Sequence, residues 1–156
     1  MLISVIIVNY NVKYFLEQCL LSVIKASQNL AVEILVVDNN STDGSKEFLA
    51  GRFTDVHFFW QEENLGYGRA NNFALEKAKG EYILFLNPDT ILEESTFIKS
   101  LKFYEQYLKA GGLGVKMIDG SGNFLSESKR MLPNFSTSFF KMSGFSSLFP
   151  GSKLFD

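Results

Sequence analysis

Only one cysteine, Cys19, and one histidine, His57, occur in the 156 residues. A lone thiol excludes an internal disulfide, and its place on the apolar face of a helical repeat reads as a small core hydrophobe. One imidazole with no cysteine beside it gives a zinc site or a Ser-His triad nothing to stand on, so His57 reads as a strand-face residue. No dense Lys/Arg cluster appears and the formal charge is −2. That excludes the basic face a nucleic-acid binder uses to neutralise phosphates. No window approaches the ~18 consecutive apolar residues of a membrane span. Met1 to Val8 is apolar, but it lacks a basic leader and a cleavage site and is cut short by Asn9-Tyr10-Asn11. No signal peptide is read there, and a cytoplasmic protein is expected.

What is present is an ordinary globular composition, 46% hydrophobic and 21% charged, of a length that suits one domain. Leu2 to Val8, Glu33 to Val37, Val56 to Trp60, Tyr82 to Leu86 and Leu113 to Ile118 read as strands. Val12, Phe15, Leu16, Cys19, Leu20, Val23 and Ile24 follow the spacing of one helical face. A short helix capped by Ser41, Thr42 or Asp43 is expected to run to about Ala50. Further helices are expected over 67–79, stopped by Gly80, and over 93–109, ended by Gly111-Gly112. Asp119 to Asn123 is a dense turn signal, so 123–127 is expected to return as a hairpin. Strands alternating with helices at this spacing give an α/β fold: a mostly parallel, Rossmann-like sheet flanked by helices.

The segment from Met131 fits that alternation poorly. Six of the 16 Phe residues fall after Pro133, interleaved with Ser, Gly and Pro. A flexible linker does not carry so many large apolar groups. The chain therefore divides into an α/β domain over 1–130 and a Phe-rich segment over 131–156. That segment either packs on another part of the protein or serves as a contact surface for a peripheral membrane, a second copy or an acceptor.

Two strand ends carry the chemistry. Ile34-Leu35-Val36-Val37 runs into Asp38-Asn39-Asn40-Ser41, and Tyr82-Ile83-Leu84-Phe85-Leu86 runs into Asn87-Pro88-Asp89-Thr90. In an open parallel sheet, ligands bind beyond the carboxyl ends of the strands. Asp38 can accept N–H or O–H groups from a nucleotide base or ribose; the alternative is that Asp38, Asn39, Ser41, Thr42 and Asp43 cap the next helix and shape the turn, the role assigned to Asp43 and Ser41. Asp89, with the Asn87 amide oxygen two residues before it, offers hard ligands to Mg²⁺ or Mn²⁺; the alternative is a capped Asn-Pro-Asp turn. Between these, Asn64 to Asn72 contains Gly66 and Gly68, which allow close backbone approach, and Arg69 at a helix start, which can meet a pyrophosphate. A glycine-eased helix entry with a surface arginine is the plainer alternative. A dinucleotide fingerprint is excluded, because the first strand-to-helix turn has no glycine.

Together, Ser4-Val5-Ile6-Ile7-Val8-Asn9-Tyr10-Asn11, Val36 to Ser45, Asn64 to Asn72 and Leu86 to Thr90 occur in the order and spacing of the family 2 glycosyltransferases of GT-A fold, which the chain resembles over Ser4 to Thr90. The resemblance implies a nucleotide-diphospho-sugar donor, a divalent metal (Mg²⁺ or Mn²⁺), a saccharide or lipid-linked acceptor, and transfer with inversion. It implies nucleotide-sugar binding by Val8, Asn9, Tyr10, Asn11, Asp38, Asn40, Gly66, Arg69 and Asn87, and metal binding by Asp89 and Asn87. The first acid of the family's Asp-x-Asp motif is Asn87 here, leaving Asp89 as its one carboxylate. The Asn-Pro-Asp-Thr form is similar to rhamnosyltransferase-like members that build bacterial surface polysaccharides.

A second departure concerns the general base. The family carries it in a later Glu-Asp-type motif, and none follows Asp89 here. Direct displacement by a hydroxyl needs such a base. Asp119 and Glu127 read as solvated hairpin charges, so no catalytic residue is assigned. The chain is expected to be the donor-binding portion of a longer transferase. The alternatives are a nucleotidyltransferase, which would want a Gly-rich basic loop after the first strand, and a non-catalytic carbohydrate-binding or assembly module.

Overall fold

Alternate residues of the first strand divide between two apolar layers, and that division organises the fold. In the computed structural model, which describes residues 2–125, β1 (Leu2–Asn9) sends Val5 and Ile7 to one face and Ile6 and Val8 to the other. It is followed by α1 (Lys13–Ala26), β2 (Ala31–Asp38), α2 (Ser45–Leu49), β3 (Val56–Trp60), α3 (Tyr67–Leu75), β4 (Tyr82–Leu86) and α4 (Thr96–Gln106). The strands lie in the order β3-β2-β1-β4, and every pairing is parallel. A strand covered on both faces has no polar side, so β1 and β2 are near-continuous Val/Ile/Leu runs.

The first layer joins Leu16, Cys19, Leu20 and Val23 of α1, Leu49 of α2 and Phe97 of α4 to Val5, Ile7 and Val36. The second joins Ala70 and Ala74 of α3 to Ile6, Val8, Leu35 and Val37. Burying each such Leu or Val contributes about 1.5–3 kcal/mol relative to exposure. The small Ala70 and Ala74 let α3 lie close to the sheet. The chain starts at β1, moves outward through β2 and β3, then crosses back to β4 on the other side of β1. The tip of β1 therefore lies between the tips of β2 and β4, on the carboxyl edge of the sheet.

β3 and β4 have the bounds expected from the sequence, β1 runs one residue longer, and β2 runs three longer. Four expectations are corrected, the first being the helix over 93–109, which spans only Thr96–Gln106. Gly44, with φ 81°, is the N-cap of α2, in place of Ser41, Thr42 or Asp43. The third helix ends at Leu75 instead of about Lys79, because the sheet takes the amides that would extend it. The Lys79 N–H donates to Glu33 at 2.5 Å and the Gly80 N–H to the Ser4 hydroxyl at 2.8 Å. The segment 113–118 is not a strand. Among the described residues its only ladder contact is an isolated antiparallel bridge, Ile118 to Phe124, around a turn in which the Gly122 N–H donates to the Asp119 carbonyl at 3.0 Å. A strand needs a neighbour to pair with, and no partner strand is offered to it there.

By internal contacts the chain separates into two compact units, with the break after Gln106. The boundary expected at 130/131, the Phe-rich segment and Glu127 lie outside the described residues. Among the described residues, no helix is long and apolar enough to cross a membrane.

Gly80 sits where a side chain has no room: an added Cβ would lie 2.5 Å from the Ser4 backbone nitrogen and 2.9 Å from the Tyr82 carbonyl oxygen. Gly80→Ala is expected to lower stability by about 1–3 kcal/mol in urea unfolding. Gly68→Ala, in α3 with nothing within 4 Å of the new carbon, is expected to be neutral or to stabilise by up to about 1 kcal/mol.

Candidate functional site

Asp38 ends β2 directly opposite Asn9, which ends β1. Both follow the face that carries Ile7 and Val36, so both side chains turn towards the α1 and α2 side of the sheet. The Asn9 Nδ2 group donates to Asp38 Oδ2 at 2.6 Å. The Ser41 N–H donates to Asp38 Oδ1 at 2.8 Å. With the residue 4% exposed, this carboxylate is held beneath polar groups and is less open than the sequence suggests. A carboxylate has about four lone-pair positions, so two further donors can still be accepted.

The same network staples two loops together. Asn9 Nδ2 also reaches Ser45 Oγ at 3.0 Å and Ser41 Oγ at 3.2 Å. Asn11, in the left-handed region at φ 56°, receives the Thr42 N–H on Oδ1 at 2.7 Å and gives its own N–H to Ser41 Oγ at 2.9 Å. Asp43 accepts the Lys13 N–H at 3.0 Å, the Ser45 N–H at 3.0 Å and the Ser45 hydroxyl at 2.5 Å. Lys13 Nζ returns to the Asp43 carbonyl. Asn9 and Asn11 are thus cross-loop ties, and the Val8 side chain lies in the core against α3. Tyr10, 50% exposed, and Asn40, exposed at φ 62°, face outward together with Asn11 and Thr42.

Asn39 was not singled out as a site residue in the sequence. It is 3% exposed, and by the alternation along β2 it lies on the opposite face from Asp38, the α3 side. Its Oδ1 and that of Asn9 are buried with no hydrogen-bond partner. Each such orphan costs about 1–3 kcal/mol, so the carboxyl edge of the sheet is not optimised for stability.

On the other side of β1, the Thr90 N–H closes the Asn87-Pro88-Asp89-Thr90 turn onto the Asn87 carbonyl at 3.2 Å. The turn rests on α1. Cys19 Sγ approaches the same carbonyl at 3.6 Å, and the Ser22 hydroxyl accepts the Leu92 N–H at 3.0 Å. Burial pushes the Cys19 thiol up to about 12; the Thr90 N–H opposes this and the nearby Asp89 carboxylate adds to it. Asn87 and Asp89 are exposed, and the Tyr67 hydroxyl comes within 3.5 Å of Asn87 Oδ1. That contact joins the start of α3 to the tip of β4. Gly66, the N-cap of α3, adopts φ 75° and ψ 163°, a conformation essentially restricted to glycine. The exposed Arg69 is tied at Nε to the Leu65 carbonyl at 2.7 Å, leaving the outer guanidinium nitrogens pointing away from that bond.

The expected residues therefore form two clusters on one sheet edge. Asn9, Asn11 and Asp38 are joined at the tips of β1 and β2. Asn87 and Asp89 lie just past the tip of β4, and Gly66 and Arg69 lie at the start of α3, the two segments meeting through Tyr67 and Asn87. One strand separates them, so β2 and β4 run about 10 Å apart. Among the described residues no group of three or more His, Cys, Asp or Glu side chains could hold a metal by itself. An exposed Asp89 carboxylate and Asn87 amide oxygen fit a hard cation shared with substrate phosphates, and not a closed protein cage. Asp119 is committed to its own turn. The Asn123 N–H, and then the Ser121 N–H, hold its carboxyl below the usual range.

Two outcomes test this geometry. Cys19 is expected to resist alkylation in the native state, reacting at least about a hundredfold faster in guanidinium, as followed by the mass of the adduct. Burial raises the Asp43 carboxyl, but the Ser45 hydroxyl, the Lys13 and Ser45 N–H groups and the Lys13 charge outweigh it, so the net shift is downward. A carboxyl lowered by folding stabilises above its ordinary range and loses that contribution as pH falls through its folded value. Asp43→Asn should therefore flatten the fall in urea stability between pH 5 and pH 3.

Comparison with known proteins supplies the remaining observation. An uncharacterized glycosyltransferase of Haemophilus influenzae is 37% identical over 109 residues, covering 67% of this chain and 43% of that protein. The Bacillus subtilis protein described as a putative teichuronic acid biosynthesis glycosyltransferase, TuaG, is 35% identical over 105 residues, covering 65% of this chain and 41% of its own. The chain thus spans less than half the length of these relatives. The crystal structure of Staphylococcus aureus TarS 1-349 in complex with UDP-GlcNAc superposes with a TM-score of 0.62 at 26% identity, over 75% of this chain and 37% of that one. The Glycosyl transferase family 2 profile matches residues 4–156, and the chain belongs to that family.

Proposed function

We propose that this chain is the donor-binding portion of an inverting glycosyltransferase that takes a UDP- or dTDP-sugar. The observation that carries the reading is the placement of Asp38 and Asp89 on one carboxyl edge, at the tips of the two strands that flank β1. In this reading the nucleoside lies at the tips of β1 and β2, where Asp38 accepts a donor from the base or ribose and Tyr10 and Asn40 face the ligand. The diphosphate lies across β1 towards β4 and the start of α3, within reach of Arg69.

Asp89 and the Asn87 amide oxygen would hold Mg²⁺ or Mn²⁺ there, and the ion would supply charge neutralisation to the leaving diphosphate. The chain's own groups bind and orient the donor. The acceptor hydroxyl, on a saccharide or lipid-linked chain, needs a base to take its proton. Asp119 does not serve: its carboxyl is satisfied by its own turn. The base is assigned to the acceptor-binding part of the transferase. The relatives described in teichoic and teichuronic acid biosynthesis support a role in bacterial surface polysaccharide synthesis.

Isothermal titration with UDP, dTDP and GDP and their sugars, with and without Mn²⁺, tests this reading. Binding of a uridine or thymidine diphosphate that tightens about tenfold or more with Mn²⁺ is expected. Asp89→Ala should abolish the metal effect while metal-free binding persists. Asp38→Asn should weaken nucleotide binding about tenfold, or about 1.4 kcal/mol, even in EDTA. Absence of binding to every nucleotide by the folded chain overturns the reading.

A further inference from the structure

Asn9 belongs to the motif that the family likeness associates with nucleotide-sugar binding, yet it is 0% exposed and its amide nitrogen points inward. We propose that Asn9 is a positioning residue: it does not touch the ligand but fixes the Asp38 carboxylate in the orientation that receives the nucleoside. The inference rests on reading the carboxyl edge of the sheet as a nucleotide site and names the device that sets its nucleoside end.

Four observations carry it. The 2.6 Å separation of Asn9 Nδ2 from Asp38 Oδ2 has the length of a charge-assisted hydrogen bond. The Ser41 N–H on the other oxygen, at 2.8 Å, leaves the carboxylate plane no freedom to turn. The backbone enforces the pairing, because Asn9 and Asp38 are register partners and the Asn39 N–H donates to the Asn9 carbonyl at 2.9 Å. Finally, Asn9 Oδ1 is buried with no partner. A residue kept only for stability would not leave an amide oxygen unpaired in order to hold its nitrogen on Asp38.

The choice of an amide follows from the chemistry. A lysine or arginine at this place would orient Asp38 and also neutralise it. Asparagine supplies the donor and leaves the full negative charge for the N–H or O–H of a ligand. The charged groups around the pair are Asp43, reached through the Ser45 hydroxyl that Asn9 Nδ2 also contacts at 3.0 Å, and Lys13, which is bonded to Asp43. Lys46 and Glu47 of α2 are exposed, and Asp89 lies beyond β1. Among the described residues, no cation is hydrogen-bonded to the Asp38 carboxylate.

Replacing the amide by a carboxyl gives a signature that loss of packing does not. In Asn9→Asp, two carboxyls face each other at hydrogen-bond distance and cannot both ionise freely. While they share a proton, the new residue donates to Asp38 as the amide does. When the second proton leaves at higher pH, the two repel and Asp38 is displaced.

The experiment is UDP binding to the 1–156 chain in EDTA, by calorimetry from pH 5 to 9, with melting temperature recorded in each buffer. Each affinity is read as a ratio to the unaltered chain at the same pH, because the terminal phosphate of UDP itself titrates in this range. Asn9→Asp is expected to bind within about threefold of the unaltered chain at pH 5 and to fall tenfold or more below it by pH 9 while still folded. Asn9→Ser, too short to reach Asp38, is expected to bind about tenfold more weakly at every pH. This variant decides the question if Asn9→Asp does not fold. A flat Asn9→Asp profile, or unchanged affinity in Asn9→Ser, overturns the positioning role alone. If the unaltered chain binds none of UDP, dTDP and GDP, the nucleotide-site reading falls, and this inference with it.

Discussion

A buried carboxylate at the end of a buried strand is the constraint on which the carboxyl edge depends. Asp38 is taken almost wholly out of water without a cation beside it, which is tolerable only because neutral donors surround it. Asn9 and the Ser41 amide supply them. Those donors require the β1–α1 and β2–α2 loops to meet, so Asn11, Thr42, Asp43, Ser45 and Lys13 tie the loops to each other. Most polar residues of the first two motifs are explained by that single requirement.

The sheet does the rest. Because β1 is central and packed on both faces, the tips of β2 and β4 are held a fixed two-strand spacing apart. α1 contributes at both ends. Its first turn begins at Lys13, beside Asp43, and its middle carries Cys19 and Ser22, which support the loop bearing Asp89. One rigid helix thereby relates the Asp38 cluster to the turn that carries Asp89. The rigidity comes from Leu16, Leu20 and Val23, which seat α1 in the core. Opposite, α3 enters through Gly66 in a glycine-only conformation, and Tyr67 meets Asn87.

Much of this was legible in the sequence where a signal is local. β3 and β4 are short apolar runs bracketed by turn residues, and their ends were found as they stand. The α1 face was visible in its 3.6-residue period, and the two acid-tipped runs end on one edge of the sheet, as expected of parallel strands. What was not legible depends on partners far along the chain. Nothing local shows that the Asn9 nitrogen meets residues 29, 32 and 36 positions away. The third helix was overextended because the acceptors that capture Lys79 and Gly80 belong to β1 and β2. The stretch 113–118 has strand composition, but pairing decides strands, and composition cannot supply a neighbour.

The most direct test of a shared site across β1 is an amide NMR titration of the folded chain with UDP and Mg²⁺. A single ligand spanning both clusters should shift Tyr10, Asn39 and Asn40 at the tips of β1 and β2 together with Asp89 and Thr90 beyond β4, all along one binding curve. Shifts confined to one cluster, or centred on the opposite edge around Glu33 and Gly80, would contradict it.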